Sequence, residues 1–272
     1  IIGLAASRLG GTGYIAGISY AIAYMGKEVR SFVYSEVFEE RELDLEFLKT
    51  RGLYIPANVI KRILSNMKNA VKGFNINRYI TFQTTIIHPD EVKGISEVLK
   101  DETWFLVHVK NHGFPKRVYD LNSDDYGPQR GVCTVDEEST SNNVGIKALL
   151  LTTGVIKIRE RDRKTGELVE KERRLYKKNT TPRPLELELL HKPKASTAID
   201  SRTSIGLMLY VCRLALLLNK LDWEAYTIWP KLPFVVKYAE RIAVILATLS
   251  PQDDEESFKQ AKDILSALQH AP

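Results

Sequence analysis

IIGLAASRLGGTGYIAGISYAIAY, residues 1–24, sets two apolar runs, 1–6 and 14–24, on either side of the link Gly10-Gly11-Thr12-Gly13. Glycine tolerates positive φ without steric penalty, so the pattern predicts a buried strand, a tight hairpin and a partner strand. A third strand-like run follows at 29–35, after Met25-Gly26-Lys27-Glu28. Three sequential strands ahead of a helix and further strands predict a meander that opens an α/β sheet.

Downstream, an acidic segment over 36–46 leads into a short helix ending near Lys49, and Tyr54-Ile55-Pro56 breaks it. Val59, Ile60, Ile63, Leu64, Met67, Ala70 and Val71 then recur at helical spacing, with Gly73 where a C-terminal cap belongs. Residues 78–84 read as a strand. At His88-Pro89-Asp90-Glu91, a first-turn proline and acids at the positive end of the dipole predict a helix start, with His88 as its cap. That helix runs to about Leu99, and 104–109 is the next strand; such alternation predicts parallel neighbours joined by a crossover. After a loop over 111–130 come strands at 131–136 and 146–152, joined by a polar link at 137–143. A strand at 185–190 and helices at 201–219 and 235–249 follow. The last segment, 251–272, opens on Asp253-Asp254-Glu255-Glu256 and places Phe258, Ala261, Ile264, Leu265 and Leu268 on one helical face.

The most charged stretch, 155–178, alternates as two strands meeting at Lys164-Thr165-Gly166. Within 157–178 stand ten basic and five acidic residues, a surplus equal to the whole chain's formal charge of +5. Two readings stay open: an exposed hairpin whose charges keep its edges soluble, or a basic arm along a phosphate backbone. The interspersed acids weaken the second.

A chain of 272 residues, 44% hydrophobic, can bury a large core, and α/β folds of this length often form one domain. The net charge of +5 and isoelectric point near 9.0 permit a polyanionic partner without requiring one. Cys133 and Cys212 lie far apart in sequence without metal-ligand spacing, which fits a reducing, cytoplasmic compartment. No basic region precedes Ile1, so no secretory leader is read, and the chain begins as though something upstream had been removed. The most membrane-like run, 205–218, is shorter than the ~20 residues a bilayer needs and carries Arg213, so it reads as a core helix without membrane insertion. His88, His108, His112 and His191 show no metal spacing, and Asp120, Asp124, Asp125 and Asp136 read as solvated acids. The glycine link lacks the lysine and following helix of a phosphate loop.

Ile2-Gly3-Leu4-Ala5-Ala6-Ser7-Arg8 resembles the first strand of the Piwi domain of Argonaute proteins, which runs apolar-apolar-Gly-apolar-Asp-x-Ser/Gly-Arg. The resemblance continues through the hairpin at 10–24 and reappears at intervals to about Leu249; the order and spacing of five segments carry it. It implies an α/β, RNase H-like Piwi fold, a central mixed sheet flanked by helices, over 1–250, with 251–272 as an amphipathic helical extension. The kind implied is a prokaryotic Argonaute, archaeal, of short or split type.

Nucleases of that fold hold two divalent ions on converging carboxylates, hard oxygen ligands that suit Mg²⁺, and the ions activate water and stabilise the leaving oxygen. By the resemblance, the first carboxylate position is Ala5 and the second, after the strand at 79–82, is Thr84 within Gln83-Thr84-Thr85. The last is Glu240, still acidic. A glutamate after the third strand completes the set in active members; Glu36, Glu39 and Glu40 lie there and none is singled out. The resemblance thus implies a pseudo-nuclease with no metal at this site. Mg²⁺ is implied only at a guide 5′-phosphate site in a MID domain, which the family places before Piwi and which these residues do not include. The alternative is an active, metal-dependent, guide-directed endonuclease whose ligands lie at other positions or were replaced by design.

The same resemblance implies nucleic-acid contacts at Arg8, at Lys110 and Arg117, at Arg183 within Thr180-Thr181-Pro182-Arg183-Pro184, and at Lys237, Tyr238 and Arg241. Each has a plainer reading: a loop rich in turn residues, an arginine paired with an acid, a tyrosine packed into the core. The implied partners are a short guide RNA or DNA with its complementary target, a MID-bearing segment or second Argonaute-related chain, and an effector protein in defence against invading DNA. A protein-interaction scaffold that has abandoned nucleic acid is a third reading.

Overall fold

In the computed structural model the described residues are 1–10, 13–25, 28–74, 76, 78–110, 117–122, 127–140, 143–162, 164–176, 180–191, 201–219 and 232–249. The first elements are β1 (Ile2–Leu9), β2 (Tyr14–Met25), β3 (Glu28–Glu39), α1 (Leu45–Arg51), α2 (Ala57–Ala70) and β4 (Arg78–Gln83). Next come α3 (Pro89–Val98), β5 (Thr103–Lys110), β6 (Cys133–Thr140), β7 (Asn143–Leu150) and β8 (Val155–Arg161). Last are β9 (Leu168–Arg174), β10 (Leu185–His191), α4 (Ser201–Leu218) and α5 (Phe234–Leu249). Eight of the strands make the mixed central sheet, flanked by helices, so the class is α/β as the sequence predicts. Two compact units divide the chain; the first takes the described residues that fall within 1–108, 190–191 and 235–249, and the second those that fall within 109–189 and 201–234.

The first unit orders its strands β3-β2-β1-β4-β5. The opening meander is antiparallel, while β1–β4 and β4–β5 are parallel, joined through helical crossovers. β3 continues past the expected end at residue 35 to Glu39, because every residue finds a partner on β2 up to Tyr14↔Glu39. Cross-strand pairing there outweighs the weak strand propensity of glutamate. One side of the sheet buries Ile2, Leu4 and Leu106 against Ile60, Ile63, Leu64 of α2 and Ile95 of α3. The other side buries Ala5, Leu9, Ala16 and Ile18 against Ala239, Ala243 and Leu246 of α5. α5 meets β1 so closely that a Cβ on Gly3 would stand 2.2 Å from the Val235 carbonyl oxygen. Only glycine admits that approach.

The second unit holds β10-β7-β6, all antiparallel, and the separate pair β8–β9. The polar link expected at 137–143 is mostly strand: β6 and β7 stay paired out to Thr140↔Asn143. Backbone pairing to a neighbouring strand continues through polar residues as readily as through apolar ones, so composition does not end the ladder. α4 packs on β6 and β7, and its Met208, Val211, Cys212 and Ala215 are buried. Cys212 and Cys133, far apart in sequence, are hydrogen-bond neighbours here; burial, then Cys133, pushes the Cys212 thiol up to about 12. Arg130 donates from Nε to the Thr152 carbonyl and from Nη2 to the Leu216 carbonyl, each at 3.0 Å, holding the last turn of α4. The extension expected over 251–272 lies outside the described residues. Among the described residues, no helix is long and apolar enough to cross a membrane.

Candidate functional site

The parallel register of β1 and β4 runs Ile2↔Thr81, Gly3↔Phe82, Leu4↔Gln83, which brings Ala5 beside Thr84 one step further on. Alternation turns Gly3 and Ala5 toward α5, where Ala5 packs with Ala239 and Ala243. The Thr84 hydroxyl donates to Glu240 Oε1 on α5. His108 Nε2 lies 3.3 Å from the Thr84 carbonyl oxygen. The structure therefore brings Ala5, Thr84 and Glu240 together, with Thr84 just past the carboxyl end of β4, the end where parallel strands of α/β sheets present their ligand sites, and Ala5 midway along β1.

Chemically this site offers one carboxylate, one hydroxyl and one methyl group. A divalent ion pair needs several converging carboxylate oxygens, and the Glu240 oxygen nearest the strands already accepts from Thr84. These three residues do not fit a two-metal centre. Of the acids expected after the third strand, Glu36 and Glu39 fall within β3 itself and Glu40 follows it; all three are engaged elsewhere, Glu40 with Arg8 at 2.7 Å, Glu36 with Arg62 at 3.4 Å, and Glu39 with Arg41. Among the described residues, no three His, Cys, Asp or Glu gather as a metal cluster.

One buried carboxyl beside this site is invisible as such in the sequence. Glu91 is fully buried and accepts from the Ile55 amide at 3.0 Å, Gln83 Nε2 at 3.0 Å and the His88 amide at 2.9 Å. Burial pushes its carboxyl up to about 7, with those hydrogen bonds pulling the other way. His88 caps α3 as expected, its Nδ1 accepting from the Asp90 amide, and with Glu91 it closes a capping box. A glutamate three residues after a helix cap is the signal that could have flagged Glu91.

The expected nucleic-acid contacts divide between the two units. In the first, Arg8 is exposed and gives Nε and Nη2 to Glu40. Tyr238 is 46% exposed, so it is not a core tyrosine; it stacks on Tyr20, ring centroids 5.3 Å apart. Lys237 is half-buried beside it, and Arg241 is exposed one turn along α5. In the second unit, Lys110 sits between Glu186 at 3.2 Å and Glu188 at 2.7 Å. Burial lowers its pKa, and the bonds to Glu188 and Glu186 more than offset that, leaving it raised. A phosphate at Lys110 would have to compete with two carboxylates. Arg117 is half-buried, and its Nη1 is shut from water with no acceptor among the described residues. Arg183 is also half-buried, and the segment 111–116 before Arg117, with His112, lies outside the described residues.

No protein-family model matches the sequence, and no curated protein matches it. Among solved structures, the chain is similar to Argonaute proteins. One is Argonaute from Aquifex aeolicus, at a TM-score of 0.52 and 11% identity over 93% of this chain and 29% of that one. Another is Argonaute from Marinitoga piezophila, in complex with 5′ OH guide RNA and target DNA, at 0.43 and 11% over 89% and 29%. The chain spans less than a third of the length of these Argonautes. At such identity the Aquifex likeness shows the fold alone.

Proposed function

We propose that this chain is a Piwi-type Argonaute module that binds a guide strand and its target and has lost the ability to cut. The observation that carries the reading is the Thr84–Glu240 hydrogen bond beside Ala5: a direct hydroxyl–carboxylate clasp where a nuclease of this fold would gather carboxylates. Binding survives such a loss, because backbone contacts hold the strand while base pairing supplies sequence. Tyr238 and Arg241 on one exposed face of α5, with Lys237 beside them, provide an aromatic surface and cations for that grip. A MID-bearing segment or second Argonaute-related chain completes the guide anchor, and an effector protein in the cytoplasm carries out a defence response.

The test mixes the full chain with a labelled guide, as RNA and as DNA, its complementary target, and Mg²⁺ or Mn²⁺. Salt-sensitive binding without target cleavage is expected, and Tyr238→Ala with Arg241→Gln weakens binding about tenfold or more. Cleavage at a fixed position opposite the guide would overturn the loss of catalysis. Failure to retain either guide would overturn the module itself.

A further inference from the structure

The hairpin β8–β9 belongs to neither the Thr84–Glu240 site nor α5. In the sequence its acids offset part of its cations, and the structure shows where those acids are engaged. The cross-strand register puts Lys157, Arg159 and Arg161 on one face with Glu172, Glu170 and Leu168 opposite them. Glu170, directly across from Arg159, reaches Lys157 instead, Oε1 to Nζ 3.4 Å. On the reverse face Glu160 holds Lys171 at 3.8 Å. Asp162 is occupied by the turn, its Oδ1 accepting from the amides of Lys164 and Thr165 at 2.7 and 3.2 Å. Glu167 and Glu172 remain, at the turn and at the inner end. Arg159 and Arg161 are exposed, and among the described residues neither has an ion-pair partner. Leu168, opposite Arg161 and 66% exposed, brings no acid to that half of the face. Ile156, Ile158 and Val169 on the reverse face are half-buried, so the arginine face is the one turned to water.

We propose that Arg159 and Arg161 form a sequence-independent contact for the phosphate backbone of a nucleic-acid strand. The proposal rests on the reading above that the chain binds nucleic acid, and it assigns that role to a second surface. Alternate residues of a strand stand about 6.7 Å apart on one face, so two guanidinium groups can take neighbouring phosphates. Each fork matches two phosphate oxygens, a geometry lysine does not supply. Contacts of this kind position a strand without reading its bases.

The experiment compares the full chain with Arg159→Gln/Arg161→Gln, using a labelled single strand of about 20 nucleotides, as RNA and DNA, and the corresponding duplex. Affinity is followed by anisotropy from about 50 to 200 mM KCl. Losing two phosphate contacts lowers the slope of log K against log salt by about 1.4 to 1.8. Arg159→Lys/Arg161→Lys, which keeps the charge, retains most of the slope. Lys49→Gln/Arg51→Gln, which removes two exposed cations from α1, leaves it unchanged; an equal fall there would reduce the effect to net charge and overturn the proposal. An unchanged slope in the Arg159/Arg161 glutamine variant, with wild-type binding intact, overturns the hairpin contact and leaves the module reading standing. Absence of binding by the wild type overturns both. Retention on phosphatidylserine vesicles that this variant alone loses, with its nucleic-acid slope unchanged, overturns it in favour of an anionic lipid surface.

Discussion

Thr84 and Glu240 are joined by a hydrogen bond across 156 residues of sequence, and their pairing has a measurable consequence. Thr84→Val removes the donor and leaves a half-buried carboxylate with one bond fewer, a cost of about 1–3 kcal/mol in urea unfolding, while Thr84→Ser restores most of it. Glu91 makes a second prediction, in pH. Its folded-state value of about 7 lies above its ordinary 4.5, so the folded protein holds that proton more tightly. The stability it contributes is complete below pH 4.5 and is lost as pH rises through 7, a decline on the order of 3 kcal/mol. Glu91→Gln flattens that part of the profile; a variant whose urea midpoint still falls between pH 5 and pH 8 as in the wild type would show that another group titrates. Position 84 was legible because one-residue register along a strand follows from the apolar pattern. The two glutamates around Lys110 were not, since they arrive 76 and 78 residues later and only pairing of distant strands puts them there.

Gly3 sets how α5 meets the opening strand. Gly3→Ala puts a Cβ against the Val235 backbone, which cannot rotate away, and costs about 3 kcal/mol or more. A drop in the unfolding midpoint no larger than that of Ala6→Ser would argue that α5 can slide. At the far side of the fold's sequence, Arg130→Met removes two charge-assisted bonds to carbonyls and costs about 2 kcal/mol, with amide exchange rising first in the last turn of α4. Element types followed from periodicity: the helix over α2 and the capped start of α3 are where the sequence placed them. Lengths did not. β3 and β6 both run on through acidic or polar residues, because their ends are set by how far a partner strand extends.

For the whole molecule, the ion question has a direct test. On the proposed reading, which places no divalent ion at Ala5, Thr84 and Glu240, EDTA is expected to leave the unfolding midpoint and the salt slope unchanged. A shift of several degrees on chelation would show an ion sustaining the structure. The formal charge of +5 gives a mild attraction for polyanions, and its distribution matters more than its size. The sequence by itself determined the meander, the parallel crossover that follows, and the absence of carboxylates at positions 5 and 84, since each depends on local period and residue identity. Tertiary structure alone decided which charges are neutralised: Lys110 by two glutamates, Glu170 by Lys157 rather than Arg159, and Arg159 with Arg161 by no described residue. The reason is that a salt bridge depends on a few ångströms between side chains of separate strands, a distance that composition and spacing along one chain do not specify.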